Sequence, residues 1–186
     1  MSGTTKSGLT PVAQKFILHW GEMGTRWGIN RTVAQVHALL FLASKPVPAD
    51  EIATTLAVAR SNVSTSLREL QGWGIVRAVH ILGDRRDHFE SIKDVWEIFR
   101  IVSDERKRRE IDPTLQAISE CVAELKANPQ ADAYTRERLE SMLEFLTAMT
   151  GLFEEVLRLP TGALKSVVKL RGKVVTLLGQ KRVASG

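Results

Sequence analysis

The chain has 186 residues, 44% of them hydrophobic and 25% charged, a composition that supports a folded core and excludes both a disordered segment and a membrane-spanning bundle. Its formal net charge of +5 favours polyanionic partners. The single cysteine, Cys121, excludes an intramolecular disulfide or a thiolate cluster, and no apolar run approaches the roughly 18 residues of a membrane helix. The polar start, MSGTTKSGLT, lacks the hydrophobic stretch of a signal peptide, so the expectation is a mobile arm on a cytoplasmic protein with no membrane partner. His19, His37, His80 and His88 form no pair that would present two ligands on one helix face, so no metal and no other cofactor is expected.

In chain order, Thr10-Pro11 is a helix start signal, and Phe16, Trp20 and Met23 share one face of a helix expected to run to about Trp27. Gly28-Ile29-Asn30 breaks it. Thr32 to Ala43 is a second helix, with Val33, Val36, Leu39 and Leu40 in register, expected to pack under the segment that follows it. Ala49 to Ala57 buries Ile52, Ala53 and Leu56, and places Asp50 and Glu51 at the positive end of the helix dipole. Only Val58 to Arg60 separate it from the next pattern, the tight connection of a helix-turn-helix. In that next helix Val63, Leu67 and Leu70 form the buried face, and Ser61, Thr65 and Arg68 the opposite one. Flanked by Arg60, Asn62 and Ser64, those small hydroxyls suit a helix lying in a major groove against phosphates and base edges.

Gly72 and Gly74 end the helical period, Ile75–Leu82 and Asp87–Ile92 read as paired strands, and Gly83 to Arg86 as their loop. Arg85 and Arg86 then project from a thin ribbon that fits a minor groove, with Asp84 or Asp87 available to orient one of them.

Downstream the pattern is helical. Asp94 opens a helix with Val95, Ile98, Phe99 and Val102, and Ile111, Leu115, Ile118, Val122 and Leu125 continue the series until Asn128-Pro129 interrupts. Leu139, Met142, Leu146, Met149, Phe153 and Val156 form a heptad seam of about two and a half repeats, which serves either intramolecular packing or pairing of subunits. The run Arg106 to Arg109 lies among Asp104, Glu105 and Glu110 and reads as a solvated helix face. No acidic residue comes after Glu155, whereas Arg158, Lys165, Lys169, Arg171, Lys173, Lys181 and Arg182 do, a basic terminal segment whose interleaved Leu164, Val167, Val168, Val174, Val175 and Leu178 suit dimer packing better than a lipid surface. Trp20, Trp27, Trp73 and Trp96 are core residues or, alternatively, an aromatic cage for a quaternary ammonium. The expected fold is mainly α with a small β-hairpin wing. Residues 1–30 form an arm and helix, 31–92 a winged helix-turn-helix, and 93–186 a helical dimerisation region with a basic C-terminal helix.

The stretch IATTLAVARSNVSTSLRELQGWGIVRAVHILGDRRDHFE resembles the MarR-type winged-helix regulators, with the GbsR-like branch the nearest fit. The similarity extends upstream through WGINRTVAQVHALLFLASKPVPADEIA, and its more specific pieces are GDRRDHFE and WGINRT. The resemblance implies a bacterial or archaeal homodimeric transcriptional regulator, usually a repressor, whose affinity for double-stranded DNA responds to a small ligand. By that resemblance Ser61, Asn62, Ser64, Thr65 and Arg68 match the recognition helix, and Arg85 and Arg86 the wing tip. Where relatives start this helix with Ser or Thr, Ala59 stands here, at a cost of about 1 kcal/mol for a lost cap. Either the helix starts uncapped, or Ser61 caps it and Arg60 falls in the turn. Pairing through Leu139, Met142, Leu146, Met149 and Phe153 would join two reading heads on an inverted repeat with half-sites about 10 base pairs apart or a multiple. The alternative is a winged helix that binds protein rather than DNA. No nucleophile, base and orienting group can be assembled, so an enzyme is not expected.

Overall fold

Thr10 accepts a hydrogen bond from Ala13 N at 3.2 Å and Pro11 takes the first helical position, so α1 (Pro11–Arg26) starts where those two residues require. The structure is a computed structural model and describes residues 8–128, 132–166 and 168–170. Gly28, at φ 76°, turns the chain, and Asn30 caps α2 (Arg31–Leu42) by accepting from Thr32 N at 2.8 Å. The same Asn30 that reads as part of a helix break is therefore also a start signal.

α2 is the centre of the fold. Its residues 33–40 are all buried, with α1 on one side and α4 on the other. Two glycines set the α1–α2 distance: a Cβ on Gly24 would lie 2.5 Å from Ala34 Cβ, and one on Gly21 2.7 Å from Gln35 Cγ. Only bare backbone fits there.

The helix pair of the reading head is α3 (Ala49–Leu56) and α4 (Arg60–Gly72), joined by Ala57, Val58 and Ala59. Ala57 takes φ 53°, the left-handed position that closes the turn. Ala59 is the N-cap of α4 and makes no side-chain cap hydrogen bond, so of the two starts left open by the sequence the uncapped one is found, and Arg60 is the first helical residue. Ile52, Val63, Leu67 and Leu70 join Val36, Leu40, Ile75, Val76 and Phe89 in one core.

The sheet has three strands in the order β1-β3-β2, all antiparallel: β1 (Val47–Pro48), β2 (Val76–Val79) and β3 (His88–Ser91). β1, with one proline in two residues, carries no periodicity to find. The wing strands are shorter than their β-branched composition suggests: pairing runs from Val76↔Ser91 to Val79↔His88, and residues 80–87, rather than 83–86 alone, form the connection. Ile81 and Leu82 have no core to enter and stand exposed, Leu82 fully so.

Beyond the sheet, Lys93 Nζ donates to the carbonyls of Leu40, Phe41 and Ala43 at 2.7, 2.9 and 2.8 Å, neutralising the negative end of α2. Asp94 then caps α5 (Val95–Arg106), its carboxylate accepting from Trp96 N at 2.8 Å.

The chain divides into two compact units, Met1–Val102 and Ser103–Gly186. α1 shares a core with the winged helix, through Ile17, and the first unit continues past 92 to Val102. In the second unit a single π-helical turn (Lys107–Ile111) leads into α6 (Asp112–Ala127), which packs on α7 (Ala133–Arg158). Lys107 is held by Asp112 at 2.7 Å and Glu154 at 2.9 Å, and Arg106 pairs with Glu110, so that basic run is largely answered by neighbouring carboxylates. Along α7, Met142, Met149 and Phe153 are 51%, 47% and 40% exposed, and Leu139 and Leu146 half-buried. Residues 161–166 and 168–170 are helical; Arg171, Lys173, Lys181, Arg182, Val167, Val174, Val175, Leu178 and the first residues of the arm lie outside the described residues. Among the described residues no helix is long and apolar enough to cross a membrane.

Candidate nucleic-acid interface

The period of 3.6 residues divides α4 cleanly. Val63, Ser66, Leu67 and Leu70 face the core, while Arg60, Ser61, Asn62, Thr65 and Arg68 are exposed and Ser64 half-buried. Ser66 is buried because it lies in the apolar stripe, one turn from Val63 and Leu70. Arg68 Nη2 donates to Thr65 Oγ1 at 3.3 Å, which fixes the guanidinium along the outer face of the helix.

Between α4, the first turn of α3 and the wing runs a cleft of about 500 Å³. Arg60, Ser64 and Arg68 line it from the helix, and Arg85 and Arg86 from the wing. Five of the eight candidate residues therefore meet in one groove; Ser61, Asn62 and Thr65 stay on the exposed face of α4 outside it. Gln71 also lines the groove. It stands three positions after Arg68 and seven after Ser64, a helical spacing that puts all three on one face, and glutamine can bond an adenine edge with two hydrogen bonds.

The two wing arginines differ in their surroundings. Arg86 donates through Nη2 to Asp84 Oδ2 at 2.6 Å, through Nε to the same carboxylate at 3.1 Å, and through Nη1 to Asp50 Oδ2 at 3.1 Å. These bonds hold the Asp84 carboxyl far below the usual carboxylate range and raise the already high pKa of Arg86, so the bridge stays charged at any physiological pH. Of the two aspartates available to orient an arginine, Asp84 does so, and Asp87 instead faces His80 at 3.6 Å. His88, buried at the root of the wing, adds a ring contact from Nδ1 to Arg86 O at 3.0 Å. Arg86 thus ties the wing to α3, a link that sequence separation hides: Asp50 lies 36 positions away. Among the described residues Arg85 and Arg60 make no ion pair, and both guanidinium groups are exposed.

Leu82 stands fully exposed beside Gly83 in the same connection, an apolar tip next to a cation. Of the four tryptophans, Trp20 and Trp27 meet edge to face at 6.0 Å and Trp73 packs against the core. Among the described residues no three His, Cys, Asp or Glu side chains gather as metal ligands.

Comparison with known proteins agrees with this geometry. A sequence profile of the MarR family matches residues 27–87, the stretch from the end of α1 to the wing. The HTH-type transcriptional repressor GbsR of Bacillus subtilis is 25% identical over 100 residues, which is 54% of this chain and 55% of the repressor, so the match spans about half the length of that relative. A crystal structure of a transcriptional regulator superposes with a TM-score of 0.55 at 23% identity, covering 79% of this chain and 96% of its own, which extends the likeness of fold beyond the head. A mutant of S. aureus MepR bound to an oligodeoxyribonucleotide aligns over 75% of this chain and 92% of its own at 14% identity, but a TM-score of 0.37 is too loose a superposition to carry an argument. The resemblance read from GDRRDHFE and its upstream companion is borne out as a similarity: residues 27–87 match the MarR family profile, and about half of the chain is similar to the GbsR repressor.

Proposed function

We propose that the protein is a sequence-specific regulator of transcription, a repressor that binds double-stranded DNA as a homodimer and releases it in response to a small ligand. The observation that carries the reading is the groove between α4 and the wing, where Arg60, Arg68, Arg85 and Arg86 converge around Ser64 and Gln71. An exposed, hydroxyl-bearing helix that carries two arginines and has two more on the wing beside it is the surface a major groove and its flanking phosphates require. Arg68 and Gln71 read base edges, Arg60 and Arg85 neutralise phosphates, and Ser61, Asn62, Ser64 and Thr65 allow close approach. Arg86, already paired twice, holds the wing in place.

Dimerisation through α7 is supported by the exposed apolar residues Met142, Met149 and Phe153, whose uncovered area is unfavourable in water unless a partner meets it. Two heads related by a two-fold axis then demand an inverted-repeat operator. The GbsR relative, described as a transcriptional repressor, supports the direction of regulation.

The test is fluorescence anisotropy of the full chain on DNA from upstream of its own gene, against scrambled DNA of equal length, over a salt series. Selective binding with a steep salt slope is expected. A screen of genomic fragments that recovers none, together with salt-insensitive capture of a protein partner, overturns the reading in favour of an interaction module.

A further inference from the structure

The apex of the wing is a tight turn that carries a leucine at its corner. Asp84 N donates to Ile81 O at 3.1 Å, and Gly83, at φ 88°, takes the third position of the turn, a conformation glycine adopts without strain. Leu82 takes the second position and is fully exposed, and Ile81 before it is 40% exposed. Such corners usually hold proline, glycine or a small polar residue. A single leucine scattered on a surface needs no explanation. Here two apolar residues stand side by side at the tip of a ribbon, with no core to enter.

The tip is braced and has a cation behind it. Asp84, which closes the turn, accepts from Arg86 N at 3.0 Å and from Arg86 Nη2 at 2.6 Å, and the same guanidinium reaches Asp50 on α3 at 3.1 Å. The turn is therefore tied to the helix pair rather than hinged. Arg85 keeps an exposed guanidinium that makes no ion pair among the described residues, and it lines the groove shared with α4. An apolar point with a cation beside it matches the minor groove of duplex DNA: phosphates on the rims answer the cation, and an opened base step offers an apolar slot.

We propose that Leu82 is a wedge, which enters the minor groove beside the bases met by α4 and inserts between two stacked base pairs, bending the duplex toward the major groove while Arg85 holds a flanking phosphate. The inference rests on the DNA-binding function proposed above and adds to it a way of choosing an operator. Apolar side chains inserted in this manner kink DNA by roughly 20–90°. Pyrimidine–purine steps unstack most easily, so the wing favours TA or CA/TG at the step it meets and disfavours a stiff A-tract, with no hydrogen bond to a base required there.

The experiment measures binding and bending together, with the full chain on the duplex from upstream of its own gene and on the genomic fragment it binds most tightly. Anisotropy reports binding, energy transfer between dyes on the two ends reports the bend, and 2-aminopurine placed in turn at each pyrimidine–purine step reports unstacking. With native protein the ends draw together and a step brightens. Leu82→Ala, at a position that touches no core, is expected to keep the salt slope and lose both signals, together with a preference of about tenfold for TA over AA at that step. Leu82→Phe retains them. Arg85→Ala does the reverse: it binds more weakly with a flatter salt slope, and its saturated complex is still bent. The proposal is overturned if the native protein binds without bending or brightening the duplex, or if Leu82→Ala bends it as the native protein does. It is also overturned if Leu82→Ala changes the oligomeric state by light scattering and leaves the bend intact, since Leu82 then meets a second copy of the chain. Failure to bind any duplex removes the regulator reading and the wedge with it, whereas binding without a bend removes the wedge alone.

Discussion

Arg85 and Arg86 are neighbours in sequence, yet their surroundings predict opposite signatures in a salt titration. Each phosphate neutralised contributes about 0.9 to the slope of log affinity against log salt. Arg85 makes no ion pair among the described residues, so if the protein binds DNA as the proposed dimer, Arg85→Ala removes two phosphate contacts and flattens the slope by about 1.8. Between about 50 and 200 mM salt that difference amounts to roughly a twelvefold smaller loss of affinity. Arg86 is engaged by Asp84 and Asp50, so its charge is answered before DNA arrives. Arg86→Ala therefore lowers affinity at every salt concentration, by loosening the wing and baring two carboxylates, and leaves the slope close to that of the native protein. Anisotropy of the two variants on one operator, over the same salt range, separates the roles. If Arg86→Ala flattens the slope as much as Arg85→Ala does, Arg86 is a phosphate contact and its role as a tether is refuted.

Arg68→Ala is expected to lose about 1–3 kcal/mol on an operator and less on random DNA; equal losses on both reduce Arg68 to a phosphate contact. Acid should act through His37. Its folded pKa is depressed from 6.5 to about 4, so both states are neutral above 6.5 and the stability is fully present there. As pH falls from 6.5 to 4 the unfolded chain takes up a proton that the folded one refuses, and about 3 kcal/mol is lost. Urea melts across that range should show the decline and His37→Phe should lack it; parallel curves would rule out His37 as its source. Gly24→Ala drives a methyl into Ala34 and should cost about 1–3 kcal/mol in the same melts, whereas Gly72→Ala, with open space around it, should cost nothing. Lysine at both Leu146 and Met149 should yield monomers by light scattering with poor operator affinity, and a variant that stays dimeric moves the subunit interface off α7.

Legibility in the sequence depends on whether a feature is local. The faces of α4 are legible, because apolar Val63, Leu67 and Leu70 repeat with the helical period and leave the rest outside. The start of α1 is too, because Thr10 and Pro11 act within one turn. β1 is not: two residues carry no alternation, and Val47 pairs only because Phe89 arrives beside it. The wing strands read too long because β-branched residues favour extended backbone even where, as at Ile81 and Leu82, no partner strand or core receives them. Gln71 has a signal in its spacing from Ser64 and Arg68. The ties made by Arg86 to Asp50 and by Lys93 to the end of α2 have none, since each joins residues far apart in the chain.

The bridge from Arg86 to Asp50 joins the wing to the first turn of α3, the helix that leads through Ala57 into α4. Helix and wing are then one caliper with a set opening. On the function proposed above, such a head gauges the separation between a major groove and its neighbouring minor groove as well as the bases it touches, so stretches of operator that contact no side chain still affect binding through how easily they assume that width. On that reading, adaptation to a new operator has two independent routes: new side chains on α4 change the letters read, and a change at Asp50, Asp84 or Arg86 resets the gauge while leaving every proposed reading residue in place.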